Sequence, residues 1–198
     1  MKSAVKAKNE VSRYVQTDSQ KQLHAPEDSM QLHLYREIDK LQNELGSLKN
    51  KLEQMEKARE ALPKIVFSAS LRTTGPENTG PFNTDTTLVF RRIITNLGNC
   101  YNPASGIFTA LVRGIYYFTG TVFHEVNVNT AVRLMKNNET IVTLWETYGH
   151  TGHGSVSNSA ILQLEIGDNV YLQLAANTYI FDNHNHHSTF HGFLLFPN

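Results

Sequence analysis

The segment with the greatest potential for chemistry is rich in histidine and lies near the C-terminus. Residues 182–187 place one carboxylate and three imidazoles close together, at Asp182, His184, His186 and His187. Imidazole nitrogen suits zinc, copper or nickel, whereas calcium prefers hard oxygen ligands. The segment therefore predicts either a zinc-type site built from these four residues or a polar exposed loop. A pH sensor is a third hypothesis, because histidines gain charge together below about pH 6.5.

These histidines are not accompanied by any arrangement typical of an enzyme. His184 and His186 form a His-x-His pair, but no glutamate follows them, as a cupin-type metal site would require. The sequence contains neither a Gly-x-Ser-x-Gly motif nor a glycine-rich phosphate-binding motif. Glu125, Glu146 and Glu165 are scattered singly and do not suggest a paired acid and base. We therefore expect a protein that is not an enzyme.

The candidates for ligand binding are three arginines and two aromatic residues. Arg91, Arg92 and Arg113 carry forked guanidinium groups that match carboxylate, phosphate or sulfate. Trp145 and Tyr148 are residue types that serve as binding anchors. These residues predict a surface that recognises an anionic target, such as a polyanion or a microbial glycan. The alternatives are isolated surface arginines, salt bridges between subunits, and rings packed partly against the domain.

The signals about export are mixed. Asn138 begins an Asn-Glu-Thr sequon, and N-glycosylation of such a sequon takes place in the secretory pathway. The first twenty residues lack the apolar stretch of a signal peptide. We still expect secretion, with a different start, a removed leader or unconventional export as open explanations. No apolar run is long enough to predict a membrane span.

Charge and cysteine content exclude several classes of protein. The formal net charge is +0, so nothing attracts the whole chain to nucleic acid or to anionic lipid. Cys100 is the only cysteine, which excludes an intrachain disulfide framework and a multi-cysteine zinc site. We expect Cys100 to be a small buried apolar residue, with an interchain bond or a reactive thiol as alternatives.

The elements that position these residues differ between the two parts of the chain. Residues 1–29 are polar and aperiodic and predict a disordered tail. Residues 30–63 carry a heptad seam, which predicts a parallel coiled coil that ends at Pro63. The alternative is a single amphipathic helix packed on its own domain. The seam consists of Leu34, Ile38, Leu41, Leu45, Leu48, Leu52 and Met55.

Charged positions beside the seam favour a parallel arrangement of the helices. Glu44 would face Lys49 of a neighbouring chain, and Lys51 would face Glu56. Each such exposed pair contributes well under ~1 kcal/mol, so these pairs select orientation more than they stabilise the coil. The seam residues alone do not fix the number of chains.

The remaining residues, 64–198, predict an all-β domain. Short apolar runs alternate with turn signals such as Asn-Pro, Asn-Asn and Gly-Asp, and no helical period intervenes. Such a pattern is typical of a sandwich or jelly roll. The predicted strands cover residues 65–71, 87–95, 106–111, 114–125, 130–136, 140–145, 155–166, 169–175 and 188–197.

This domain resembles the globular head of the complement C1q family. Gly106–Phe118 (GIFTALVRGIYYF) is the most specific match. Val66–Ala69 and Ile93–Asn102 resemble the family's first two blocks, Leu162–Leu172 its F–G hairpin, and Ser188–Phe196 its last strand. The matches follow the family's order along the chain.

The resemblance implies a ten-strand jelly roll that packs as a tight homotrimer, and it favours three helices in the coil. Leu111 replaces the usual proline of the family, and the coiled coil stands where many relatives have a collagen stalk. Trimer packing would also cover the surplus rings of Tyr117 and Phe123, on the side of the strand opposite the inward Tyr116 and Phe118.

The resemblance also implies function. Some members bind calcium in the loop that contains Asp182, so calcium is a possible cofactor beside zinc. We expect a secreted, glycosylated trimer of innate-immune, lectin-like type that binds extracellular proteins, glycans or polyanions through several weak contacts. The alternative is a cerebellin-like signalling or adhesion ligand for one cell-surface receptor.

Overall fold

A computed structural model of the chain describes residues 2–125, 129–147 and 152–198, with side chains from Ser29 onward. The chain divides into one unit that ends at Ala61 and a second unit, Leu62–Asn198. The helical residues that the structure describes include no segment apolar enough to cross a membrane.

The first unit is a single helix, α1, at Lys2–Ala61. It ends two residues before Pro63, as proline requires. The seven seam residues are all exposed in the single chain, from Ile38 at 47% to Met55 at 69%. The part of the helix whose side chains are described therefore carries an apolar stripe that is exposed in the single chain.

The described backbone is helical from Lys2, and the disordered tail predicted for residues 1–29 stays a prediction. This segment contains no glycine and includes four lysines, three glutamines and three alanines, which favour a helix, but it also contains Pro26, which does not. The apolar residues of this segment are not spaced in heptads, so the heptad seam does not extend into this part of the helix.

The second unit contains thirteen strands among the described residues. They are β1 Val66–Ser70, β2 Glu77–Thr79, β3 Thr86–Thr87, β4 Arg92–Leu97, β5 Tyr101–Asn102, β6 Ile107–Thr109, β7 Gly114–His124, β8 Thr130–Lys136, β9 Glu139–Glu146, β10 Gly154–Leu164, β11 Asn169–Leu174, β12 Ile180–Asp182 and β13 Thr189–Pro197.

The strands form two antiparallel sheets. A seven-stranded sheet has the central order β10-β7-β13-β1-β4, with β12 paired to β7 and β2 paired to β12. A six-stranded sheet has the order β5-β6-β11-β8-β9, with β3 added to β11. The predicted all-β jelly-roll sandwich is thus confirmed, with thirteen described strands where the resemblance implies ten.

Aromatic residues fill the space between the two sheets. Phe67 packs on Tyr101 with ring centroids 4.7 Å apart, and on Phe190 at 4.9 Å. Tyr116 and Phe118 are fully buried, as the alternation along β7 predicts. The Tyr101 hydroxyl donates to the Phe90 carbonyl and accepts from the Phe90 N–H, each at 3.1 Å. Burial raises the pKa of Tyr101 to about 12.

One predicted strand is divided in the structure. The sequence predicts a single strand over residues 87–95, but the chain crosses between the sheets there. The Leu88 N–H donates to Leu172 of the six-stranded sheet at 2.8 Å, and the Arg91 N–H donates to Leu71 beside the other sheet at 3.4 Å. Leu88 and Phe90 are both buried, so the crossing itself helps to fill the core.

Candidate binding and assembly surfaces

The outer face of the seven-stranded sheet carries a row of apolar side chains. Strand pairing aligns Ile161, Tyr117, Phe193, Val66 and Leu97 across five strands. The rings of Tyr117 and Phe193 lie 5.3 Å apart, while Ile161 is 65% exposed and Leu97 51%. We call these five residues the apolar row. Because one face of this sheet already covers the core, the row is a second apolar surface on the same sheet.

The next row on this face is polar. Ser159, Thr119, His191, Ser68 and Thr95 are aligned across the same five strands, and we call them the polar row. His191 Nδ1 lies 2.9 Å from the Ser68 hydroxyl. Burial lowers the pKa of His191, so its neutral form is favoured in the folded chain.

Rings and histidines gather at the far end of the face. Phe123 packs nearly parallel to His187, with ring centroids 4.6 Å apart, and to His153 at 5.8 Å. Phe181 of β12 also contacts Phe123 at 5.8 Å. The histidine-rich loop is therefore anchored to the sheet by ring contacts.

The predicted metal ligands have different roles in the structure. Asp182 is fully buried, and its carboxylate accepts the N–H groups of Arg72 at 3.3 Å and Ser188 at 3.4 Å. The Ser188 hydroxyl donates to the Phe181 carbonyl at 2.8 Å and accepts the Phe123 N–H at 3.0 Å. Asp182 and Ser188 thus close the loop by hydrogen bonding to the backbone.

The histidines of the loop are divided among different environments. His184 is exposed, His187 packs on Phe123, and His186 has a buried Nδ1 without a hydrogen-bond partner. Across residues 29–125, 129–147 and 152–198, no group of three or more histidine, cysteine, aspartate or glutamate side chains is placed to hold a metal ion. The metal site predicted at Asp182, His184, His186 and His187 stays a prediction, and in the single chain these side chains lie in different environments.

The predicted ligand-binding residues do not form one cluster. Arg91 and Arg92 are exposed where the chain enters β4, at an edge of the seven-stranded sheet. Arg113 lies just before β7, where its Nε is 3.1 Å from Glu165 Oε1. Trp145 is 66% exposed on β9, the edge strand of the other sheet. Tyr148 and the nearby His150 lie outside the described residues.

Two other predicted features have clear positions. Asn138 is exposed in the two-residue turn between β8 and β9, where a sequon would be accessible. Cys100 is buried, its thiol donates to the Gly98 carbonyl at 3.4 Å, and burial raises the pKa of the Cys100 thiol. Cys100 is therefore the small core residue that the sequence predicts.

Most of the apolar row was missed by reasoning from the sequence. The residue pattern identified Tyr117 as a surplus ring but not Ile161, Phe193 or Leu97. The sequence does contain a signal for a second apolar face, because consecutive residues of β7 and of β13 are apolar, as in Phe193-Leu194-Leu195-Phe196. A strand that buries one face alone would alternate with polar residues there.

The two sheets and their strand order define a jelly roll of the type found in C1q and TNF proteins. Among solved structures, the globular domain of zebrafish complement 1qA matches with a TM-score of 0.54 and 21% identity, covering 68% of this chain and 100% of that one. Eiger TNF from S. frugiperda matches with a TM-score of 0.56 and 14% identity, covering 69% of this chain and 96% of that one. At these identities, the two likenesses concern the fold alone.

This chain belongs to the C1q domain family, whose model matches residues 66–195. A complement C1q subcomponent of Homo sapiens is 38% identical over 141 residues, 69% of this chain and 52% of that protein. Complement C1q tumor necrosis factor-related protein 3 of Mus musculus is 36% identical over 137 residues, 67% and 52% respectively. The chain thus spans about half the length of these two relatives. Family membership supports a C1q-type ligand-binding protein.

Proposed function

We propose that this protein is a secreted homotrimer that recognises extracellular or microbial surface ligands through several simultaneous weak contacts. The observation that carries the proposal is the apolar row, with Ile161 and Leu97 more than half exposed in the single chain. Large contiguous apolar patches on soluble domains mark interaction sites. Packing between copies of this face would remove the row from water.

The helix supports association independently. Its heptad seam is exposed over seven positions, and a seam confined to two heptad positions suits partner helices. Burying one leucine side chain contributes roughly 1.5–3 kcal/mol, so seven seam positions per chain outweigh the cost of bringing chains together.

Multivalence gives such an assembly its function. A single head with a weak site would release its target quickly, whereas three identical sites that bind one repetitive surface raise the effective affinity by ~10²–10⁴-fold. The exposed Asn138 in the β8–β9 turn is consistent with a glycosylated, exported protein. The proposal does not require catalysis or a bound metal.

The first test concerns assembly and uses two matched substitutions. Ile161→Glu places a charge in the apolar row, whereas Trp145→Glu makes the same change at an equally exposed apolar residue of the other sheet. We expect wild type and Trp145→Glu to sediment as trimers. We expect the Ile161→Glu trimer to dissociate at a protein concentration at least ~10-fold higher than the wild-type trimer does. The reason is that assembly of the variant would remove three carboxylates from water in the interface. A stable monomer for wild type would overturn the proposal.

The second test concerns the target. Purified trimer is screened on arrays of microbial glycans and polyanions and against cell-surface proteins. Binding to repetitive surfaces that persists at moderate salt would support the proposed recognition function. Saturable nanomolar binding to one membrane protein alone would instead support the cerebellin-like alternative.

A further inference from the structure

A polar cleft of about 580 Å³ opens at the margin of the sandwich. It lies where an accessory strand of each sheet approaches, with β2 contributing Glu77 and Thr79 and β3 contributing Thr86 and Thr87. All of its lining residues belong to the jelly-roll unit. Its volume lies in the range of small-molecule sites, ~300–1,000 Å³.

The walls of the cleft combine hydroxyl groups with one exposed ring. Thr79, Thr86 and Thr87 are half-buried. The Thr79 hydroxyl accepts from Arg72 and can still donate, and the Thr86 hydroxyl donates to the Thr84 carbonyl at 3.0 Å and can still accept. Phe82 is 38% exposed beside them, and buried Leu88 forms part of the floor. A saccharide presents hydroxyls and a flat C–H face, which are the groups these walls complement.

Two arginines line the cleft. Arg72 forms an ion pair with Glu77, and its Nη2 donates to the Thr79 hydroxyl at 3.4 Å. Its buried Nε has no hydrogen-bond partner, so the guanidinium keeps one unused donor. The pairing with Glu77 fixes Arg72 as part of the wall.

Arg91 is the available cation of the cleft. Its backbone N–H donates to the Leu71 carbonyl at 3.4 Å, which anchors the residue, while its side chain is exposed at the rim. Within the part of the chain that the structure describes, no carboxylate pairs with the Arg91 guanidinium. With Glu77 neutralising Arg72, Arg91 gives the cleft a net positive charge at its opening.

We propose that this cleft binds an acidic saccharide unit, in which Arg91 pairs with a carboxylate or sulfate group. The threonine hydroxyls bind the ring hydroxyls of the sugar, and Phe82 packs on its C–H face. A planar guanidinium forms two parallel hydrogen bonds to such an anion. The inference rests on the proposed recognition function. It adds a binding site that lies within a single chain, and it names the class of ligand.

The test measures the binding of soluble monosaccharides by NMR titration of the full-length protein. The probes are N-acetylneuraminic acid for the carboxylate, 6-sulfo-N-acetylglucosamine for the sulfate and N-acetylglucosamine as the neutral control. We expect at least one acidic sugar to bind at least ~10-fold more tightly than the neutral sugar, as expected from a charge-assisted hydrogen-bonded pair. The preferred acidic sugar identifies the anion.

Matched variants locate the site. We expect Arg91→Ala to weaken acidic-sugar binding by at least ~10-fold and Arg91→Lys to restore part of it, because lysine keeps the charge but not the fork. Phe82→Ala should weaken both acidic and neutral sugars. Lys64→Ala removes one positive charge at an exposed position elsewhere in the same unit and should change nothing. Equal effects of Arg91→Ala and Lys64→Ala, or no acidic-sugar binding by wild type, would overturn the inference.

These outcomes separate the inference from the proposed function. If the trimer binds acidic glycan arrays but wild type and Arg91→Ala bind them equally, the cleft is refuted and the recognition function stands. If the protein is a monomer that nevertheless binds the acidic sugar through Arg91, the cleft stands and multivalent recognition is refuted.

Discussion

At the scale of single residues, Gly192 shows how closely the core is packed. A methyl group added to Gly192 would lie 2.5 Å from a carbon of the Phe118 ring and 2.6 Å from one of the Phe67 ring. Both rings are almost fully buried among other aromatic side chains and have little room to move. The hydrogen atom of Gly192 is therefore required by the aromatic packing.

We predict that Gly192→Ala destabilises the domain by about 1–3 kcal/mol, the usual cost of overpacking a filled core. Chemical denaturation followed by far-UV circular dichroism measures the change in the free energy of unfolding. Gly152→Ala is the control, because no atom lies within 4 Å of its added methyl group. Equal stability of the two variants would contradict this account of the packing.

His191 makes the stability of the domain depend on pH. Burial lowers its pKa below the ordinary value of 6.5 in the folded chain, so the unfolded chain binds the proton first as the pH falls. The stabilising contribution is complete above about pH 6.5 and is lost as the pH falls from there toward the folded pKa. The facing side chains of Ser68 and Thr119 are uncharged and do not offset this effect.

We therefore predict that wild type loses more of its free energy of unfolding than His191→Gln does between pH 7.5 and pH 5.5. Denaturation curves of both proteins at the two pH values provide the comparison, and the other eight histidines are common to both chains. Parallel losses in the two proteins would show that His191 is not responsible.

Asp182 shows a limit of reading residue types without a fold. A carboxylate beside three histidines suggests a metal site, yet Asp182 is buried and hydrogen-bonds to two backbone N–H groups. One of these belongs to Arg72, which is 110 residues away in the sequence. Since only the fold brings Arg72 to Asp182, local spacing did not contain this information.

At the scale of elements, the long strands were predictable and the short ones were not. β7 alternates buried and half-buried residues over its whole length, so the two-residue period expected of a strand agrees with the observed burial of its side chains. β3 has two residues and β2 and β12 have three each, too few for any period to appear. Two of these short strands, β2 and β3, contribute to the cleft that contains Arg91, which explains why the sequence indicated the arginine but not its site.

The seam of α1 supplies a prediction at this scale. Leu45→Asp places a charge in the seam, and Asn50→Asp places the same charge outside it. We predict that Leu45→Asp raises the concentration at which the full-length protein dissociates, whereas Asn50→Asp leaves it near the wild-type value. Sedimentation equilibrium measures both, and identical behaviour of the two variants would show that the seam does not hold the chains together.

At the scale of the whole molecule, the proposed assembly and the proposed recognition depend on different surfaces. The apolar row and the cleft involve different residues, so association can be removed while each single site is kept. A monomeric variant should therefore bind a soluble sugar as wild type does and lose only the gain from multivalence.

We predict that a variant carrying both Leu45→Asp and Ile161→Glu binds a dense acidic-glycan surface ~10²–10⁴-fold more weakly than wild type. Surface plasmon resonance at a series of glycan densities measures the difference, which should vanish at the lowest density. A difference that is the same at every density would show that the sites themselves were damaged.

The polar row has a consequence for how copies of the domain align. Side chains on one face of a strand repeat about every 7 Å, so a neighbour displaced by one repeat would press Thr119 and Ser68 against the rings of Tyr117 and Phe193. Both hydroxyls are already hydrogen-bonded within the chain, Ser68 to His191 Nδ1 and Thr119 to the Asn158 carbonyl, so the cost of the displacement is the apolar burial that the two rings lose. The polar row would thus disfavour displaced arrangements and fix the register in which neighbouring domains pack.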